Sequence, residues 1–288
     1  MKHYRKVFRK ILLFLITIPV LLFIFSPILW LFFASLSTQV ELFMIPPHWI
    51  PQHPTLQNYL DIFLPSLAAS TVPRTFAISL LNSIKIASAV TIICIVIGSL
   101  AAYALVRIPF KFNRYIQLGI LTTRMIPEVS LILPLFIIAS SLQLIYKPIV
   151  LVITYMSFAL PYAIWMMAAF FQTVPVELEE AARIDGGGRL RIFFSILLPI
   201  SVPGLVAAGA FSFLLAWKEF MWASIMISTG KMKPIAVGMR DLIGQGGTVD
   251  NMSYFMAIAV ATTIPAFIFF LLVQKHVASG LTAGAVKG

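Results

Sequence analysis

One polar stretch in this chain has the residue types and spacing to do specific work: Val174-Pro-Val-Glu-Leu-Glu-Glu-Ala-Ala-Arg-Ile-Asp-Gly-Gly-Gly188. Thr173 is positioned to cap a helix there, and Pro175 is tolerated in its first turn. Glu177, Glu179 and Glu180 crowd the positive end of the helix dipole. Leu178, Ala181, Ala182 and Asp185 recur at helical spacing. Gly186 stops the helix, because glycine accepts the left-handed conformation that a stop requires. The expected product is a rod of about 10 residues, ~15 Å long, with a small flat face and an acidic face. Alanines let another surface come close, and flanking charges fix register. Such a rod suits a socket on a soluble partner. A helix lying on lipid would instead carry bulky apolar residues and a basic polar face.

The remaining chemistry-bearing residues are ionisable groups inside apolar runs, which are costly there and normally face protein or water. Measured from Arg114 along a continuous helix, Arg124 would lie ~15 Å deep and Glu128 ~21 Å deep. Four apart, they would share a face. They either pair along a translocation route or inter-subunit seam, or form a structural ion pair. Lys218 and Glu219 are adjacent, so their side chains diverge. Lys85 either meets Glu219 or snorkels to the interface. The aromatics Tyr103, Tyr155, Tyr162, Trp165, Trp217 and Trp222 either stack on sugar rings or pack. No enzyme site can be assembled. His3, His48, His53 and His276 all fall outside the apolar runs, and no His-Glu-x-x-His pattern occurs. The Gly186-Gly-Gly188 turn lacks the Lys-Ser/Thr of a phosphate loop. Cys94 is the only cysteine, so it forms no internal disulfide. No metal or cofactor site is expected, and any Mg-ATP must be bound by another chain.

The elements that hold these residues follow from composition. Of 288 residues, 60% are hydrophobic and 11% charged, against about 25% charged in an ordinary soluble domain. That excess of apolar surface identifies an all-α integral membrane protein and excludes a soluble enzyme. Six stretches reach the ~20 residues a span needs: about 11–36, 76–106, 115–144, 148–171, 192–227 and 253–274. Residues 11–36 are expected to be retained, because the run is too long for a signal peptide and no small-residue cleavage site follows. Residues 37–75 contain Pro46, Pro47, Pro51 and Pro54, which would leave carbonyls unpaired in lipid, so they form an external loop. A second external loop is expected from about 228 to 252. Thirteen Lys and Arg flank one side, in segments 1–10, 107–114, 172–191 and the tail 276–288 with its neighbour Lys275, against five on the other. The richer side is cytoplasmic, with both termini there. The net charge of +11 is therefore topological, and no basic folded face suggests nucleic acid.

Glu180-Ala181-Ala182, then Gly186 after three residues, then Ile196-Leu197-Leu198-Pro199 after nine more, resembles the EAA motif of ABC importer permeases, with Asp185 also matching. Asn82-Ser83, Gly98–Tyr103, Ala159–Tyr162, Trp217–Phe220 and the tail Ser279–Gly288 resemble the carbohydrate-uptake branch, most of all its maltose-type second permease subunit. Lys218 departs from the usual Asn of that family, and Glu128 follows the more usual Arg124-Met-Ile-Pro127. The resemblance implies a type I importer fold of six spans, with a core domain of residues 76–275 and an EAA loop of 172–191. It implies that Glu177, Glu180, Ala181, Ala182, Arg183, Asp185, Gly186, Leu198 and Pro199 couple to an ATPase. Asn82, Lys85, Arg124, Glu128, Tyr162, Trp217, Lys218 and Glu219 become candidates for the polar path. The partners implied are a second permease subunit (a heterodimer), two ATP-binding cassette subunits and an extracytoplasmic solute-binding protein. The setting implied is a bacterial or archaeal inner membrane, and the cargo an oligo- or disaccharide, with glycerol phosphate or a polyol as the alternative. A stand-alone secondary transporter would show two related halves, and no internal duplication is visible.

Overall fold

The computed structural model describes residues 2–64, 75–228, 230–244 and 252–285. Among them the chain is helical, with turns and no strand. Four helices are long and apolar enough to span a membrane: α1 (Lys2–Ser35), α4 (Phe76–Arg107), α7 (Pro148–Thr173) and α14 (Met252–Ala285). Between them lie α2 (Gln39–Leu42), α3 (Gln57–Phe63), α5 (Asn113–Thr122), α6 (Glu128–Ser141), α8 (Glu177–Ile184), α9 (Arg189–Ile192), α10 (Leu198–Ile200), α11 (Val202–Trp217), α12 (Met221–Met226) and α13 (Ile235–Gly244). Phe14 and Phe23 of α1 are 65% and 82% exposed. Each such side chain would cost about 1.5–3 kcal/mol in water, so this surface belongs in hydrocarbon.

The chain forms two compact units, residues 1–77 with 239–263 and residues 78–238 with 264–288. In the first, the Pro-rich segment after α1 is more ordered than a plain external loop. The Asn58 amide donates to the carbonyls of Ser35 and Ser37, both at 2.9 Å. Buried Asp61 accepts from Tyr254 at 2.9 Å and Gln57 at 2.8 Å. The carbonyl of the Gln39 side chain accepts from the Ser253 backbone at 2.9 Å. The Asn58 bonds satisfy carbonyls at the end of α1 that have no helical partner ahead of them.

The second unit is built on α7. Leu151, Tyr155, Phe158, Ala159, Ala163, Met167 and Phe171 repeat every three or four residues and are buried, as one face of a helix requires. Small residues set its crossings, as expected where lipid removes most of the apolar drive between helices. A Cβ on Gly98 would stand 3.1 Å from the Cβ of Ala163, and one on Gly204 would fall 2.4 Å from Cγ of Phe170. Alanine is the better helix former by about 1 kcal/mol. Gly204→Ala is nevertheless expected to destabilise the purified protein by about 1–3 kcal/mol, because the root of the Phe170 ring cannot step aside. Gly119 in α5 has nothing within 4 Å of its Cβ position. Gly119→Ala should therefore be neutral or stabilising in the same detergent unfolding titration.

Two expected spans are not single helices. Residues 115–144 divide at Ile126, which is extended (ψ 122°) before Pro127. The proline ring disfavours helical backbone at the residue preceding it. Arg124 and Glu128 thus sit on opposite sides of a break and do not share a helix face. The Arg124 side chain lies outside the described residues. Residues 192–227 also divide. Residues 193–197 wind as a π-helix, then the axis turns by 79° between the segment ending at Ile200 and α11. Pro203 has no N–H to return to Pro199, and Ser201 takes the joint. A further break at Lys218–Phe220 separates α11 from α12. The second expected loop holds the ten-residue α13, whose first turn bonds back to the carbonyl of Pro234. Residues 245–251 and 286–288 of that loop and the tail lie outside the described residues.

Candidate functional site: a latched, exposed helix

α8 is eight residues long. Thr173 does not cap it. Thr173 ends α7, and its hydroxyl donates to the carbonyl of Phe170 at 2.7 Å. The first turn instead closes on Val176, whose carbonyl accepts from Glu179 and Glu180 at 2.9 and 3.0 Å. At the other end Gly186 has φ +83°. The Gly187 N–H reaches the carbonyl of Ala182 at 2.8 Å, and the Gly186 N–H reaches that of Arg183 at 3.0 Å. This is the paired-bond helix stop in which only glycine is unstrained at the left-handed position. Gly187 is needed as well, since a Cβ there would lie 2.7 Å from the Ala182 oxygen.

The three glutamates do not form one face. Glu177 and Glu180 are exposed, with Ala181, Arg183 and Asp185. Leu178 and Ile184 are also exposed, Ile184 to 86%. Apolar knobs among charges on a short projecting helix make a surface that a partner can cover. Ala182 is half-buried. Glu179 turns inward and is fully buried, although neither it nor its partner was among the residues singled out for coupling. Its Oε1 accepts from Nε of Arg107 at 2.6 Å. The Arg107 Nη2 also donates to the carbonyls of Phe171 at 2.9 Å and Val174 at 2.7 Å. One guanidinium thereby binds the end of α4, the end of α7 and the start of α8. It fills the unpaired carbonyls of a helix C-terminus with a cation, which the dipole favours. A signal was present in the sequence. Glu179 lies about 200° around the helix from Glu177 at 100° per residue, so the two cannot face the same way.

Downstream, Leu198 and Pro199 form the last turn before the 79° bend. Leu198 is half-buried and Pro199 exposed.

The candidates for a polar path are scattered. The Asn82 amide donates to the carbonyls of Lys231 at 2.8 Å and Lys233 at 3.1 Å. Its neighbour Ser83 accepts from the Ile235 N–H at 2.8 Å. The pair therefore anchors the turn before α13. Glu219 caps α12: its carboxylate accepts from the N–H groups of Trp222 at 2.9 Å and Ala223 at 3.1 Å. Its contact is not Lys85. That lysine is exposed and, among the described residues, forms no ion pair with Glu219. Lys218 is exposed beside half-buried Trp217, whose ring stacks on Phe213 at 5.6 Å. The rings of Tyr162 and Phe211 meet at 4.6 Å. Trp222 and Tyr155 are at most 1% exposed, so these two pack and present no face to a sugar. Trp165 is 57% exposed.

Residues 94–283 match the family described as "Binding-protein-dependent transport system inner membrane component". The chain is 34% identical over 283 residues to the trehalose/maltose transport system permease protein MalG of Thermococcus litoralis, covering 98% of this chain and 99% of that one. It is 34% identical over 262 residues to the trehalose transport system permease protein SugB of Mycobacterium tuberculosis, covering 91% and 92%. A bacterial ABC transporter chain involved in import of the acidic polysaccharide alginate shares the fold at TM-score 0.78 and 20% identity, covering 94% of this chain and 97% of that one. This multi-pass membrane protein belongs to the family of inner membrane components of binding-protein-dependent transport systems.

Proposed function

We propose that the chain is one permease subunit of an ATP-driven importer of oligo- or disaccharides, and that α8 is its coupling helix. The observation that carries this is the combination at α8. A short helix is terminated by Gly186, exposes Glu180, Ala181 and Ile184, and is bound from behind by Arg107. A surface so held can be pushed without folding away. In this reading α8 and both termini are cytoplasmic, as the distribution of Lys and Arg favours. Six spans result if α5 with α6, and α9–α10 with α11, each cross as one broken helix. A second permease subunit completes the pore as a heterodimer, two ATP-binding cassette subunits hold Mg-ATP, and an extracytoplasmic binding protein delivers the ligand. Hydrolysis belongs to those cassette subunits. Nucleotide state and pore orientation are then linked equilibria, with α8 as the link. The trehalose and maltose relatives support a sugar over glycerol phosphate or a polyol as cargo.

The test is co-purification of the co-expressed complex. ATPase subunits should be retained by the unaltered chain and lost from a Glu180→Lys, Ala181→Arg variant present at equal membrane level. Retention by the variant, or no ATPase on either chain, refutes α8 as the docking helix.

A further inference from the structure

The end of α4, the end of α7 and the start of α8 meet at one buried ion pair, and the covalent route out of α8 is poor at carrying a push. That route runs through Gly186, Gly187 and Gly188, a π-turn and a 79° bend at Ser201. Three glycines in succession carry no side chain that could brace that turn against the next helix. The non-covalent route is short. Glu179 is 0% exposed and Arg107 9%. The guanidinium holds that carboxylate and two carbonyls at 2.6–2.9 Å, so it cannot swing with one element and leave the others. Glu179 Oε2 is buried with no hydrogen-bond partner among the described residues. Among the described residues Arg107 is therefore its one ion-pair partner, and the carboxylate has no second side-chain bond to fall back on.

We propose that Arg107 and Glu179 are positioning residues for coupling: displacement of α8 reaches α4 and α7 through this pair and not chiefly along the chain into α9. The proposal rests on the reading of α8 as the coupling helix and adds where the motion goes next. It also separates the neighbouring glutamates by task. Glu180 faces outward to the docking partner, and Glu179 faces inward to the pore helices.

The test uses the complex co-expressed with its ATPase subunits and compares Arg107→Lys, Glu179→Gln and the double variant Arg107→Met, Glu179→Leu. The lysine keeps a cation, but its single nitrogen cannot occupy both the Nε and Nη2 positions from which Arg107 donates. Gln keeps the acceptor and removes the charge. The double variant leaves no buried charge behind and so tolerates folding if a single variant does not. The readout is the maleimide labelling rate of Ala104→Cys, one turn before the end of α4, in a Cys94→Ala background, with and without ATP and vanadate. The chain with the native pair should show a rate that changes with ATP. The variants should retain ATPase subunits at native levels while that change shrinks at least about tenfold. A merely structural role would lower protein and ATPase content together and leave the ATP response of the surviving complexes intact, which overturns the proposal. So does a rate indifferent to ATP with the native pair in place. Loss of ATPase subunits from the native chain instead refutes the reading of α8 itself, so the two failures are distinguishable.

Discussion

Arg107→Ala is expected to destabilise the protein by about 3–5 kcal/mol, the usual consequence of removing one member of a buried pair. The number follows from what remains. Glu179, fully buried, would lose the cation that pairs it, and the carbonyls of Phe171 and Val174 would lose their shared donor. The Phe171 carbonyl keeps the Val174 N–H at 3.3 Å, but the Val174 carbonyl is left unpaired, which costs about 1–3 kcal/mol. Nor can the site close up, because Phe171 is itself fully buried against the ring of Phe193, 6.3 Å away and edge-on. A denaturant titration in detergent should show the lowered midpoint, accompanied by loss of chain from the membrane. Pairing the change with Glu179→Leu should recover only the part of the loss due to the unpaired carboxylate, since the alanine still leaves a cavity and the Val174 carbonyl still lacks its donor. A single variant as stable as the native chain would mean that water reaches Glu179 and that the pair is not buried in the working protein. Glu180→Ala, one residue on but exposed, should change stability by less than about 0.5 kcal/mol.

That contrast shows what was legible in the sequence and what was not. The helices α1, α4, α7 and α14 were read from runs without charge, because length and hydropathy alone decide whether a helix can cross lipid. The rod at α8 and its stop at Gly186 were legible for a local reason: residue spacing and a glycine stop act within one turn, whereas the expected cap at Thr173 belongs to the end of α7. The breaks at Ile126 and Ser201 were missed because hydropathy runs on unchanged through Pro127 and Pro203 while the hydrogen-bond ladder does not. Both prolines were in plain view, and weighing them as heavily as those of residues 46–54 would have found both joints. The bond from Arg107 to Glu179 was not legible at all. It joins residues 72 apart, and in sequence Arg107 is one more basic residue at the end of a span. Asn82 and Glu219 stood out in the sequence as candidates for a polar path; in the structure one holds the turn at Lys231–Lys233, and the other caps α12.

Gly186→Val is expected to abolish ATP-driven uptake while leaving the pore helices folded. A Cβ on Gly186 would meet nothing within 4 Å, so space is not the difficulty. The difficulty is φ +83°, which costs an L-residue about 1–2 kcal/mol and a β-branched one more. To escape, the chain must surrender the bonds from Gly186 to Arg183 and from Gly187 to Ala182. α8 then runs on or unwinds, and its exposed face turns away from any socket. If about 1.4 to 2.8 kcal/mol separates the stopped helix from its alternatives, the competent fraction falls about 10- to 100-fold. The core of α7 and α11 is untouched, so the denaturation midpoint should fall by no more than the strain at the turn, about 1–2 kcal/mol, well short of the Arg107→Ala loss. Asn tolerates the left-handed region best among non-glycine residues. Uptake at matched membrane levels should therefore fall in the order Gly, Asn, Ala, Val. Arg107→Ala loses stability and uptake together, whereas this series should lose uptake first. Native uptake by Gly186→Val would show that the helix stop is dispensable, and that the surface offered to the ATPase is not set by the turn at Gly186.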